Sequence, residues 1–207
     1  SQAKEDKSSQ ITAKTINITA QKINNKQGII QQTGSEENAV IIARDIDNSS
    51  GKIVNAGDSN NFNITAKQEF INTNGTISSN ASLKINTSTI ENKNDHITAQ
   101  KEILMNVEKD FIHQGNIETN GNLSITAQNI KNTKDGIINA DKTNIKATND
   151  ITNEGRIEGN EINTSSRKIS NYASIIGNQV TINAQTIENQ GEKAIIGAVD
   201  TLNLWAG

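Results

Sequence analysis

A block of about twenty residues recurs along the whole of this chain, and that repetition constrains the fold more than any other feature. NLSITAQNIKNTKDGII at 122–138 has close variants in INITAQKINNKQGII at 16–30 and VTINAQTIENQGEKAII at 180–196. Aligning the blocks produces columns. The middle column reads Ile18, Ile41, Ile64, Ile85, Met105, Ile125, Ile145, Thr164, Ile182 and Leu204. Apolar or small residues stand two places before it (Ile16 to Leu202) and two places after it (Ala20 to Ala206). Spacing of two over five residues predicts a half-buried strand.

A second short segment centres on Ile23, Ile46, Phe70, Ile90, Phe111, Ile130, Ile151, Ile169 and Ile187. A third centres on Ile29, Ile53, Ile77, Ile97, Ile117, Ile137, Ile157, Ile175 and Ile195. Middle-column residues lie 18 to 23 apart, a solenoid period. Leucine-rich repeats share that length, but they are dominated by Leu and carry helical segments. Here no helical periodicity is sustained, and Asn, Thr and Gly punctuate each block. Three short strands per turn predict an all-β parallel β-helix of about nine to ten turns. Each turn rises about 4.8 Å, giving a rod of roughly 45 Å.

Composition fits that reading. Only 32% of the 207 residues are hydrophobic and 2% aromatic, low for a globular domain. A net charge of −3 and abundant Ile and Thr argue against disorder. A solenoid needs fewer core residues, because each turn packs only on its neighbours. The absence of Cys leaves the compartment open. No apolar run is long enough to span a bilayer, and no signal peptide is visible. Ser1 in place of a start Met points to a processed or excised piece. Slight acidity spread along the chain argues against nucleic acid as a partner.

A polar column follows the second segment: Asn25, Asn48, Asn72, Asn92, His113, Asn132, Asn153, Asn171 and Asn189. Stacked Asn side chains hydrogen-bond along a cross-β stack. Gly follows within two to four residues in most turns, at 28, 51, 75, 115, 136, 155 and 191. Asn followed by Gly predicts a corner, with Gly supplying a positive φ.

Blocks such as NLSITAQNIKN (122–132) followed by DGIINA (135–140) resemble the filamentous haemagglutinin repeats of large exoproteins from bacterial two-partner secretion systems. These include haemagglutinin-type adhesins and the stalks of contact-dependent growth inhibition effectors. The resemblance runs from about Ile11 to Gly207 and carries no catalytic motif. It implies a right-handed β-helix on an extracellular filament. It also implies an outer-membrane transporter as secretion partner and a host-cell or bacterial surface receptor as a target. The Asn-Pro-Asn-type signature of the family's secretion domain is missing, since the chain has no Pro. An internal stretch of the rod is therefore expected, with 1–10 as a lead-in and 11–207 as one repeat domain.

Enzyme chemistry finds little support. Carbohydrate-active β-helices need clustered carboxylates on one outer face. Asp45 and Asp47 flank Ile46, while Glu91 and Glu188 share the outward position of Asp47 on distant turns. Asp141, Glu158 and Glu161 show no acid–base partner. His96 and His113 occupy different columns, a weak metal pattern, and no cofactor motif is present. Mixed outward residues such as Ser124, Thr126, Lys84 and Asn86 do not form the regular Thr array of an ice-binding face.

The turns differ most in the link from the third segment to the next first one. It is longest at 30–38 (IQQTGSEEN) and 54–61 (VNAGDSNN), which would stack into one bulge carrying Glu36, Glu37 and Asp58. Loops on a rigid scaffold often carry function, so these residues, with outward-facing Trp205, are the candidate partner-binding positions. The expected function is a secreted, non-enzymatic filament segment that holds distal binding or toxin regions at the cell surface. The alternatives are a receptor- or glycan-binding module and, behind it, a polysaccharide-active enzyme.

Overall fold

Strands that alternate inward apolar and outward polar residues must bury one face, and here each does so by stacking on its equivalent one turn away. The computed structural model describes residues 9–58 and 61–207. All strand pairs among these residues are parallel, and they build a β-solenoid of about ten turns without helices. The middle column stacks as expected, from Ile18 on Ile41 through Ile125 on Ile145 to Ile182 on Leu204. The second column does likewise, from Ile23 on Ile46 to Ile169 on Ile187. Phe62, Phe70 and Phe111 are fully buried in it and in the column beside the middle one.

Several strands continue through corners. Ser82–Ala99, Arg156–Asn171 and Ser174–Asn189 each run round more than one face; Arg156–Asn171 keeps its register to the next turn throughout, while the other two shift at a corner, opposite Gln114–Asn116 and at Gly177–Gln179. Of the lead-in expected over 1–10, residues 1–8 lie outside the described residues, and Gln10–Ala13 already forms a strand on Ile29–Gln32.

The third column needs a correction at three turns. Ile30, not Ile29, pairs with Ile53; Ile138, not Ile137, pairs with Ile117; Ile196, not Ile195, pairs with Ile175. Each site reads Ile-Ile, so alternation alone cannot choose between neighbours. The corner chooses. In most turns the buried residue stands two places after the corner Gly, as in Gly51–Ile53 and Gly155–Ile157. That rule selects Ile30 after Gly28 and Ile138 after Gly136.

The reason for those glycines also differs from expectation. Positive φ belongs to the residue before, at Gln27, Ser50 and Asn74 (54° to 56°). The glycines themselves are required because the neighbouring turn comes too close. A Cβ on Gly51 would lie 2.1 Å from the Asn25 carbonyl oxygen, and one on Gly75 2.4 Å from the Asn48 carbonyl oxygen. Gly191 is the exception: its φ is +105° and nothing lies within 4 Å of its Cβ position. It belongs to an enlarged corner, where Ala194 takes the place of the corner Gly and donates its N–H to the Gly191 carbonyl.

At the outermost rungs of the described residues the inward columns are exposed. Ile11 is 54% exposed, Leu202 43% and Leu204 48%.

Candidate functional site

The two long links do stack. The Asp58 N–H donates to Ser35 Oγ (3.2 Å), the Asn61 N–H to Asn38 Oδ1 (2.8 Å), and Lys101 Nζ to the Asp58 carbonyl (2.7 Å). Glu36, Glu37 and Asp58 are exposed on this shared bulge. Residues 59 and 60 of the second link lie outside the described residues. Trp205 is not part of this cluster. It stands 63% exposed on the last strand, paired with Asn183, at the opposite end of the stack.

What holds the bulge is a buried polar column that the sequence reading passed over. The last inward position of the third face is occupied by Gln32, Asn55 and Ser79, all buried, before becoming Ala99, Thr119, Ala140 and Gly159. Gln32 Oε1 accepts the Ile16 N–H (2.7 Å), and its Nε2 donates to the Glu37 carbonyl (2.6 Å). Asn55 accepts the Gly57 N–H at 3.1 Å and donates to Ser79 Oγ at 3.2 Å. A buried amide must find partners, and here the long links supply them. Polar residues where later turns carry Ala or Gly were the available signal.

The remaining acidic residues are paired or dispersed. Asp47 contacts Lys26 at 3.0 Å, Glu188 contacts Lys168 at 2.7 Å, and Glu91 accepts from Thr73 at 2.9 Å, each on its own part of the stack. Glu158 pairs with Arg156 (2.6 Å) and Glu161 with Lys142 (3.4 Å). Among the described residues no three His, Asp or Glu side chains gather to hold a metal ion. Among the described residues no helix is long and apolar enough to cross a membrane.

One recess of about 520 Å³ opens at the corner between the first and second faces. Ser88 and Thr89 form its floor because the chain takes one more residue round this corner on both adjacent turns, at 67–69 and 108–110. Lys67, Glu69 and Lys109 wall it, with Asp45 beyond. Asp45 is already paired with Arg44 at 2.8 Å. Two cations and two anions around an open recess favour neither sign of ligand. The equivalent place two turns on is closed by Asn129, which donates to Asp110 Oδ1 (2.7 Å) and accepts the Asp150 N–H (3.3 Å).

The Asn column is the most ordered polar feature. Each Nδ2 donates to the oxygen of the next turn: Asn25 to Asn48, Asn48 to Asn72, Asn132 to Asn153, Asn153 to Asn171, Asn171 to Asn189, all at 2.7–2.8 Å. The middle departs from the expected column. Asn72 donates to Asp95 Oδ2 (3.2 Å) rather than to Asn92. Asn92 Nδ2 meets His113 Nδ1 (2.9 Å), and His113 Nε2 meets the Ile137 carbonyl (3.2 Å). His113 therefore has the satisfied corner role expected of it, stacked 5.8 Å from the Phe111 ring. Burial pushes its imidazole down to about 4, against hydrogen bonds to the backbone of Ile137 and Gly115. His96 lies apart and exposed.

A model of the haemagglutinin repeat family matches the chain four times, at residues 11–61, 47–104, 105–155 and 168–207. No match was found among curated proteins or among solved structures.

Proposed function

The chain belongs to the haemagglutinin repeat family, a structural, adhesin-type family of surface exoproteins, and on that premise we propose that it is a stiff spacer in a secreted filament. The repeats and the solenoid fit an adhesin-like filament segment. The proposed finer role is mechanical: the segment holds distal binding or toxin-bearing regions away from the producing cell. Secretion through an outer-membrane transporter, by way of regions outside this sequence, belongs to the same proposal.

The observation that carries it is the unbroken parallel pairing from Gln10–Ala13 to Ile195–Ala206. A stack hydrogen-bonded at every turn around a buried Ile core resists bending without disulfides. Its outward residues contribute little to that core, so they are free to vary on a surface exposed to hosts and competitors.

A second reading is favoured by the bulge at 33–38 and 56–58. Two buried amides, on Gln32 and Asn55, hold in place loops that a spacer does not need. In that reading Glu36, Glu37 and Asp58 contact a surface receptor or glycan. Binding of the purified segment to host and bacterial cells, beside an equally long rod from another part of the parent chain, separates the two. No binding above that control supports the spacer. Saturable binding lost on Glu36→Ala/Glu37→Ala/Asp58→Ala would overturn it in favour of recognition.

A further inference from the structure

In the middle of the Asn column, the position held by corner Gly on neighbouring turns is taken by Asp95, 1% exposed. Two buried oxygens here accept from no one: Asp95 Oδ1 and Asn92 Oδ1. The two side chains lie within hydrogen-bonding reach of each other. An unpaired buried acceptor is costly, and two on neighbouring side chains are costlier.

The direction of each surrounding bond can be worked out. The Ile137 carbonyl only accepts, so His113 Nε2 carries the hydrogen. A neutral imidazole then has a bare Nδ1, and Asn92 must present its amino group to it. That leaves Asn92 Oδ1 without a donor. From the other side, Asn48 donates to Asn72 Oδ1, so Asn72 presents its amino group to Asp95 Oδ2. Every donor in the row points the same way, and Asp95 Oδ1 and Asn92 Oδ1 are the two buried acceptors in it that no hydrogen reaches.

We propose that Asp95 is held as a neutral carboxylic acid whose Oδ1–H donates to Asn92 Oδ1. That one proton completes a hydrogen-bonded row from Asn25 through Asn48, Asn72, Asp95, Asn92 and His113 to the Ile137 carbonyl. Losing it places a bare carboxylate against a carbonyl oxygen and opens a pH-sensitive break in the column.

The surroundings are consistent with a neutral acid. The groups against Asp95 are Asn72 from the turn before, Asn92 on its own turn and Gly115 from the turn after, with His113 one bond further on, against Asn92. His113 is the one titratable group among them and is itself uncharged near neutrality. Glu91, Lys93 and His96 on the same turn are exposed, and Asp135 beyond is exposed and bonded to Gln114 at 3.1 Å. Burial pushes the Asp95 carboxyl up to about 7, against hydrogen bonding with its own amide and with the Asn72 and Asn92 side chains.

The test is a pH titration of the segment labelled with 13C at the Asp carboxyl carbons, with Asp95 assigned through its backbone. The expected result is one carboxyl that stays protonated through pH 5 and titrates near neutrality. Asp95→Asn supplies the same donor and acceptor without a proton to lose. Its melting temperature should match wild type near pH 4 and exceed it by several degrees at pH 8. An Asp95 carboxyl already ionised at pH 5 would overturn the proposal, whether or not a small cation such as sodium replaced the hydrogen. So would an Asp95→Asn protein that melts below wild type at pH 8. The carboxyl titration decides by itself should the variant not fold.

Discussion

Gly51→Ala is the sharpest probe of how the turns fit together. Its φ is unremarkable, so backbone conformation predicts a neutral or slightly stabilising change. Close approach predicts the opposite. The new Cβ would lie 2.1 Å from the Asn25 carbonyl oxygen, 2.7 Å from Asn48 Oδ1 and 3.0 Å from Asn25 Nδ2. Ordinary contact requires the first distance to open by about 1 Å. That oxygen is backbone, and it cannot retreat without disturbing neighbouring inter-turn bonds, such as Lys52 N–H to the Gly28 carbonyl (2.8 Å). The bonds from Asn25 Nδ2 to Asn48 Oδ1 (2.7 Å) and to the Lys52 carbonyl (3.0 Å) are in the same place. Losing two buried hydrogen bonds costs about 1–3 kcal/mol. Overpacking adds about 1–3 kcal/mol. The sum, roughly 2–6 kcal/mol, corresponds to a melting temperature lower by about 10 °C in a chain of this size. Gly28→Ala meets mainly a side-chain oxygen, at 2.6 Å, and should cost less. Gly191→Ala meets nothing and carries only the strain of its φ, about 1–2 kcal/mol. Circular-dichroism melts of the three variants test the order. A Gly51→Ala protein that melts within about 2 °C of wild type would refute the close-approach reasoning.

Ile125→Asp should lower the melting temperature severely, since an unpaired carboxylate would be buried in the middle column, whereas Ser124→Asp, one residue away and facing out, should be mild; equal losses would mean the register is wrong. Asn132→Leu removes bonds to Asn153 and Arg156 inside the stack and should cost about 1–3 kcal/mol more than Asn129→Leu, whose bonds lie outside the corner column; equal melting temperatures would remove the ladder's contribution. The two titrating residues of the column should oppose each other. His113 is lowered to about 4, so its stabilising effect is present above its ordinary value of 6.5 and is lost as pH falls toward 4. Asp95 is raised to about 7, so stability falls as pH rises from its ordinary value of 3.8 toward 7. Each slope is about 1.4 kcal/mol per pH unit, so wild-type stability should be nearly flat between pH 4 and 6.5. Denaturant midpoints should show His113→Asn losing stability with rising pH and Asp95→Asn gaining it.

The sequence by itself determined the architecture of this protein, its family and most of its core columns. A parallel stack places like residues on like, so a repeat visible in one dimension survives in three. Alternation with a period of two says which residues face in, and a period near twenty says which of them meet. That is why Ile125 on Ile145, buried Phe111 and the outward Trp205 could all be placed from the chain alone. The exposed positions of Glu36, Glu37 and Asp58 were legible as unequal link lengths, but the buried amides of Gln32 and Asn55 that hold those links were not. Only the tertiary structure decided the corners. At Ile29–Ile30, alternation allows either residue inward, and the geometry of the preceding turn chooses Ile30. At Gly51 the governing atom is the carbonyl oxygen of Asn25, 26 residues away in sequence. At Asp95, a residue in the place of a glycine displaces Asn92 from the column and brings an acid into a row of amides. In each case the deciding contact comes from an adjacent turn, at a distance that residue spacing alone does not encode.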